Sequence, residues 1–169
     1  MSITLDGSNL TTNGVINSGT LQNSTSGTSI DYTGIPAGMK RVTVIFNGAS
    51  TNGSSVIIVQ LGSGSVVTTG YNGNVAAINA GTGQASFGNG HPMSQAGSAS
   101  YTIDGSVVFV NMGGNSWVGT SIFCYNAASG SMAFATSRIT LSGALGRVRI
   151  TTVNGTDAFN AGTINILYE

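Results

Sequence analysis

Short apolar blocks alternate with clusters of Gly, Asn and Ser along most of this chain. In Arg41–Asn47, Val42, Val44 and Phe46 occupy every second position, which is the pattern of one face of a β-strand. No comparable stretch has helical periodicity, so the pattern predicts an all-β protein. Other blocks of this kind are Ser29–Tyr32, Val56–Leu61, Val66–Tyr71, Ala85–Phe87, Ser106–Met112, Ser116–Tyr125, Met132–Ala135, Arg138–Leu141, Arg147–Val153 and Thr163–Tyr168.

The turn signals between the blocks indicate how the strands are arranged. Asn52-Gly53 favours a two-residue hairpin between the strand ending near Asn47 and the strand beginning at Val56. The spacing of the blocks predicts a jelly-roll-like β-sandwich of about 9–11 short antiparallel strands.

Residues 1–27 follow a weaker pattern than the rest of the chain. Scattered apolar positions lie among Gly, Asn, Ser and Thr, with Asp6 as the single charge. We therefore predict an extended N-terminal arm over residues 1–27 and one β-sandwich domain over residues 28–169.

Composition and charge exclude several kinds of partner. Gly, Ser, Thr and Asn make up about half of the chain, charged residues are 6%, and the formal net charge is zero. Nucleic acids and anionic membranes are usually bound by clustered Lys and Arg, which are missing, so we expect neither partner. Hydrophobic residues are 40%, enough to predict a folded core rather than disorder. The chain has neither a long apolar run nor a signal-peptide pattern, and we expect synthesis in the cytosol.

Candidate catalytic chemistry is sparse. The only imidazole, His91, lies in the Gly88–Pro92 segment, which has no serine-nucleophile signature and predicts a solvent-exposed loop histidine. Cys124, the only cysteine, lies in an apolar run and is predicted to be a small buried hydrophobe. A glycan hydrolase would need two carboxylates, for which Asp104 and Asp157 are the candidates. Asp104 lies at a predicted strand entry and Asp157 in a predicted turn, where acids usually have structural roles. No ligand spacing for a metal or cofactor is present, so we predict a protein that is not an enzyme and has no cofactor.

Aromatic and charged residues suggest where binding would occur. Tyr71, Phe87 and His91 are near predicted loops and are candidates for contact with a glycan or protein partner, whereas Trp117 is predicted to lie in the core. Arg147 and Arg149 point to the same face of one strand and are expected to pair with Asp31 or Asp157, or to bind a partner's carboxylate.

Two ordered motifs carry a resemblance to a known family. Gly34–Gly48 and Leu145–Glu169 resemble a structural module of tailed bacteriophages, found in the C-terminal part of tail-fibre-like proteins and in head-decorating proteins. Intermediate segments, Gln60–Gly62, Thr68–Tyr71 and Gly105–Val118, are also similar. The resemblance covers about residues 22–169.

The resemblance implies a non-enzymatic structural protein on the virion exterior, made in the cytoplasm of the host bacterium. Tail fibres of this kind have a long anchoring N-terminal part, and here only a short arm precedes the module, which favours a capsid decoration (cement) protein. Such proteins are commonly homotrimers, and the arm, with Ile3, Leu5 and Leu10, would contact the major capsid protein or other virion proteins. The alternative is a tail fibre or receptor-binding tip that contacts host surface glycan.

Overall fold

A computed structural model describes residues 16–78, 82–126 and 130–169, and these form an all-β sandwich of antiparallel sheets. None of the described residues belongs to a helix that is long and apolar enough to cross a membrane. The described strands are β1 (Asn17–Ser18), β2 (Gln22–Asn23), β3 (Ser29–Thr33), β4 (Arg41–Thr51), β5 (Ile57–Gly62), β6 (Asn72–Ile78), β7 (Thr82–Phe87), β8 (His91–Pro92), β9 (Ile103–Gly113), β10 (Ser116–Asn126), β11 (Ser131–Thr140), β12 (Arg147–Thr152) and β13 (Phe159–Tyr168).

The two sheets differ in size. The large sheet has nine strands in the order β1-β13-β4-β9-β10-β11-β6-β7, with β2 also paired to β13. The small sheet has the order β3-β12-β5-β8. Because successive segments of the chain pass back and forth between the sheets, most neighbouring strands within a sheet are distant in sequence.

One hydrophobic core lies between the sheets. Val42, Phe109 and Trp117 of the large sheet and Ile150 of the small sheet belong to the same buried cluster. β11 shows the alternation that produces this core, since every second side chain from Ser131 to Ile139 is buried and the intervening ones are exposed. The large sheet therefore has an inner face in the core and an outer face toward solvent.

The sequence predicted the fold class and most of the strands. The all-β sandwich is confirmed, while the more specific jelly-roll topology stays a prediction. Two predicted blocks, Met132–Ala135 and Arg138–Leu141, belong mainly to the single strand β11, and β6 was missed. The predicted strand Val66–Tyr71 is wrong, because Val66 forms only an isolated bridge with Gly62 before the chain crosses to the large sheet.

The predicted hairpin at Asn52-Gly53 is also wrong. β4 lies in the large sheet and β5 in the small sheet, so residues 52–55 connect the two layers. The backbone N–H of Asn52 donates to the carbonyl of Ala158, and a Cβ at Gly53 would overlap the carboxyl group of Asp157. Glycine is therefore needed here for close contact with a second loop rather than for the backbone angles of a two-residue turn.

The predicted arm lies partly within the described residues. β1 and β2 pair antiparallel with β13, and the hydroxyl of Ser24 donates to the carbonyl of Ala161 at 2.7 Å. Residues 16–24 thus run along the edge of the large sheet. Ile3, Leu5 and Leu10 lie outside the described residues.

Candidate interaction surface

The outer face of the large sheet is formed by the solvent-facing side chains of β4, β9, β10, β11, β6 and β7. Four of these strands are 10 or 11 residues long, which makes the face broad. Most exposed large apolar side chains of the described residues lie on this face. They are Ile45, Ile78, Val110, Met112, Val118, Ile122, Met132 and Phe134.

The first apolar cluster, the Phe134 patch, consists of Ile78, Ile122, Met132 and Phe134. Ile122 lies opposite Phe134 across β10 and β11, and Met132 lies opposite Ile78 across β11 and β6. Their side chains are 40–57% exposed, with Phe134 at 40% and Ile78 at 57%. Directly opposed residues in an antiparallel pair have Cβ atoms about 5 Å apart, so the four side chains form one continuous patch.

A second cluster, the Val118 patch, lies toward the other end of the same strands. Val118 lies opposite Val110 across β10 and β9, and Met112 follows two residues later on β9 with 69% of its surface exposed. Thr120 and Thr136, which are opposite each other, separate the Val118 patch from the Phe134 patch.

A polar groove, the central groove, runs beside Phe134 over β10, β11, β6 and β7. It has a volume of about 740 Å³. Its hydrogen-bonding side chains are Asn74, Gln84, Ser86, Thr120 and Thr136. The hydroxyl of Ser86 donates to Oδ1 of Asn74 at 2.8 Å, which orients the amide. Amides, hydroxyls and one exposed ring are the groups that bind neutral polar ligands such as sugars.

The outer face carries few charges, and they balance. Arg41 forms an ion pair with Glu169 at one side. Asp104, near the Phe134 patch, accepts a hydrogen bond from the backbone N–H of Gly48 at 2.7 Å. Arg138 lies beside Val118 and makes no ion pair with any residue that the structure describes. One acid and one base therefore remain on a face that is otherwise uncharged.

His91 does not occupy the exposed loop position that the sequence predicts. Its side chain is 0% exposed and bridges the two sheets from β8, with Nδ1 2.8 Å from Oγ of Ser137 and Nε2 2.7 Å from Oγ of Ser121. Its ring also meets Phe109 edge to face, with centroids 5.4 Å apart. Burial lowers the pKa of His91 to about 3, so the ring is neutral at physiological pH.

The other predicted glycan contacts also face inward. Tyr71 is buried, and its hydroxyl accepts a hydrogen bond from the backbone N–H of Leu61 at 2.6 Å; burial raises its pKa. Phe87 is only partly buried but packs against the core. Tyr71 and His91 cannot stack on a surface glycan in this arrangement, because burial covers both rings. Trp117 lies in the core, as the sequence predicts.

Asp104 and Asp157, the candidate hydrolase carboxylates, each accept structural hydrogen bonds. Oδ2 of Asp157 accepts from the backbone N–H of Ser55 at 2.8 Å, and Oδ1 accepts from the side-chain amide of Asn154 at 2.7 Å. These two hydrogen bonds hold the pKa of Asp157 below its usual value, and the bond from Asn154 has the larger effect. The carboxylate joins the 52–55 loop to the 153–158 loop.

Replacing Asp157 with alanine is expected to loosen the 52–55 loop. The amide of Ser55 loses its acceptor and should exchange its hydrogen faster, because local opening no longer breaks a hydrogen bond. Hydrogen exchange followed residue by residue measures this, with the amide of Met93, which donates to Ile57, as the internal control. Unchanged protection at Ser55 would show that the loops are held by other contacts.

The two arginines of β12 both pair with Asp31, one of the two partners that the sequence offers. Arg149 makes a two-pronged contact with the carboxylate, at 3.0 Å from Nε to Oδ1 and 2.9 Å from Nη2 to Oδ2. Nε of Arg147 lies 3.7 Å from Oδ1. With Asp31 already engaged by both, this cluster is a cross-strand ion pair between β3 and β12.

Cys124 differs from the sequence prediction. Its side chain is partly exposed on the outer face, opposite Met132 and Asp104, rather than buried. Among the residues that the structure describes, no group of three or more His, Cys, Asp or Glu side chains is arranged to hold a metal ion.

Comparison of the chain with protein-family models, with curated proteins and with solved structures finds no match.

Proposed function

We propose that this chain is a non-enzymatic structural protein of the exterior of a tailed-phage particle, and that it decorates and stabilises the head as a homotrimer. Its partners would be further copies of itself and the major capsid protein, and its location would be the virion after synthesis in the host cytoplasm. The motifs at Gly34–Gly48 and Leu145–Glu169, which resemble phage structural modules, motivate this assignment.

The observation that carries the proposal is the broad, nearly uncharged outer face. Soluble monomers rarely expose many large apolar side chains side by side, and a face of this kind usually marks a protein contact. The net charge of zero means that neighbouring copies on a shell do not repel one another. Both properties suit a protein that packs densely on a capsid.

A head-binding assay tests the proposal. Purified chain mixed with empty phage heads should co-sediment with them, and a gold-labelled chain should appear on the capsid rather than at the tail tip. Deleting residues 1–15 leaves every described strand intact and should abolish head binding if the arm contacts the capsid. A second variant, in which serine replaces Ile3, Leu5 and Leu10, should also lose head binding. Label at the tail tip, with no head binding, would contradict the decoration role.

The central groove favours a second candidate function, a tail fibre or receptor-binding tip that contacts host surface glycan. Its amides and hydroxyls lie on one side of the exposed ring of Phe134, whereas Tyr71 and His91 are buried. A glycan array with the purified chain measures this function. Binding that is lost in Gln84→Ala and kept in Thr69→Ala would support it, and absence of binding across host polysaccharides would remove it.

A further inference from the structure

We infer that the outer face is the surface through which copies of this chain associate, with the Phe134 patch and the Val118 patch as its two apolar contacts. The inference rests on the self-association of the proposed function and adds one surface for it. Because the face meets a copy of itself, the contact pairs copies two by two and would join neighbouring trimers rather than form the trimer itself. It follows from the size of the face, from its exposed side chains and from its charge.

The face is large enough for a stable contact. Strands in a sheet lie about 4.8 Å apart and extend about 3.4 Å per residue. Five neighbouring strands, β4, β9, β10, β11 and β6, most of them 10 or 11 residues long, therefore present roughly 800 Å². Stable protein contacts bury about 800 Å² on each partner, so the face alone meets this requirement.

The exposed side chains of the outer face are of the types found at protein–protein interfaces. Phe and Met are enriched at protein interfaces and charged residues are depleted at their centres. Phe134, Met132 and Ile122 lie together toward one end of the long strands, and Met112 is exposed toward the other end. Burying the four side chains of the Phe134 patch would remove an unfavourable apolar surface from water.

Charge favours a second copy as the occupant. A strongly acidic or basic partner would leave its own charges buried and unpaired against this face, which is costly. A copy of the same face brings one Asp104 and one Arg138, so the total charge of the contact remains zero. Because Asp104 and Arg138 lie toward opposite ends of the strands, they are also available to pair between copies.

Sedimentation velocity and light scattering of the full chain between about 1 and 100 μM, a range that brackets micromolar dissociation constants, test the inference. We expect a species at an even multiple of the 16.9 kDa chain mass, because identical faces meet two by two. Phe134→Asp and Ile122→Asp should each weaken association by at least about 30-fold, because each places a charge within one of the two apolar contacts. Val153→Asp is the matched control, since Val153 is equally exposed in the loop after β12 and should leave association unchanged.

A second measurement guards against misfolded variants. Cys124 is the only cysteine and lies beside Met132, so its reaction with a maleimide should slow in the wild-type chain as concentration rises. In Phe134→Ser, a milder change at an exposed site, labelling should stay fast at all concentrations while the circular dichroism spectrum is unchanged.

The possible results distinguish failure of the inferred self-association surface from failure of the head-decoration role. A wild-type chain that oligomerises while Phe134→Asp and Ile122→Asp oligomerise equally well would overturn the inference and leave the decoration role intact. An oligomer that depends on Phe134 but binds no heads would support the inference and contradict the decoration role. A monomer at 100 μM, the upper bound set above, that binds a glycan or the capsid through Phe134 would overturn the inference in favour of that other partner.

Discussion

Substitution of Gly105 by alanine is expected to destabilise the fold by about 3 kcal/mol and to lower the melting temperature by roughly 10 °C. Gly105 lies within β9 at φ +138, a conformation that residues with a side chain rarely adopt. It also lies opposite Phe123, and an added Cβ would overlap the carbonyl oxygen of Ile122 in β10. Backbone strain and a clash with a backbone atom therefore add together, and neither β9 nor β10 can move without disturbing the centre of the sheet.

Gly146→Ala is the matched control. A Cβ at Gly146 has no atom within 4 Å and its φ is not in the left-handed region, so alanine should fit without strain. We expect the free energy of unfolding to rise by about 0.5 kcal/mol, because alanine restricts the unfolded chain. Thermal unfolding and urea titration of both variants give the comparison. Equal stability of Gly105→Ala and Gly146→Ala would mean that β9 relaxes around the added methyl group.

The sequence predicts the positions of the strands more accurately than it predicts which segments pair with one another in the fold. The alternation in Arg41–Asn47 is a local property, and β4 covers this segment. The hairpin at Asn52-Gly53 failed because its loop is bonded to residues 154–158, a contact between segments about a hundred positions apart that no local pattern contains. β6 was missed because Asn72 and Gly73 resemble a turn, although pairing with β11 holds them in a strand.

The apolar run around Cys124 is the sequence feature that corresponds to the outer face. In Ile122-Phe123-Cys124-Tyr125 every residue is apolar, and from this run the sequence predicts a buried Cys124. In the structure Phe123 and Tyr125 enter the core, while Ile122 and Cys124 point to solvent. A strand that is apolar on both faces indicates either a second covering layer within the chain or a contact outside it, and the described residues supply no such layer over this face.

The burial of His91 could not be predicted, because it depends on three distant positions. Ser121 and Ser137 supply hydroxyls from β10 and β11, and Gly119 leaves the space. A Cβ at Gly119 would lie 2.6 Å from Cε1 of Phe109 and 2.9 Å from Nδ1 of His91. Sequence alone places His91 beside Gly90 and Pro92, which suggests a loop.

Because His91 stays neutral in the fold, the protein is expected to lose about 2 kcal/mol of stability between pH 7 and pH 5. The unfolded chain takes up a proton on His91 near its ordinary pKa of 6.5, whereas burial keeps the folded pKa at about 3. The unfolded state therefore binds more protons over this range, and the free energy of unfolding falls as the pH falls from 6.5 toward 3. Above pH 6.5 the contribution of His91 to stability is constant.

The range from pH 7 to pH 5 isolates His91, since ordinary carboxyl groups titrate near pH 4. Urea unfolding at both pH values, in the wild-type chain and in His91→Gln, measures the difference. Glutamine keeps an amide that can donate to one serine and accept from the other, and it has no proton to gain. We expect His91→Gln to be less stable than the wild type at pH 7 but to lose little further stability at pH 5.

Ser121→Ala and Ser137→Ala separate the two hydrogen bonds of the imidazole. Each leaves one buried ring nitrogen without its partner and should cost about 1–3 kcal/mol at pH 7. Both variants should retain the slope between pH 7 and pH 5, because the ring remains buried and neutral. If His91→Gln instead shows the same pH slope as the wild type, the acid sensitivity comes from other groups and the ring is accessible to protons in the folded state. The comparison of these variants thus tests whether the buried hydrogen bonds of His91 to Ser121 and Ser137 hold the two sheets together, and whether protonation of the imidazole would break that contact.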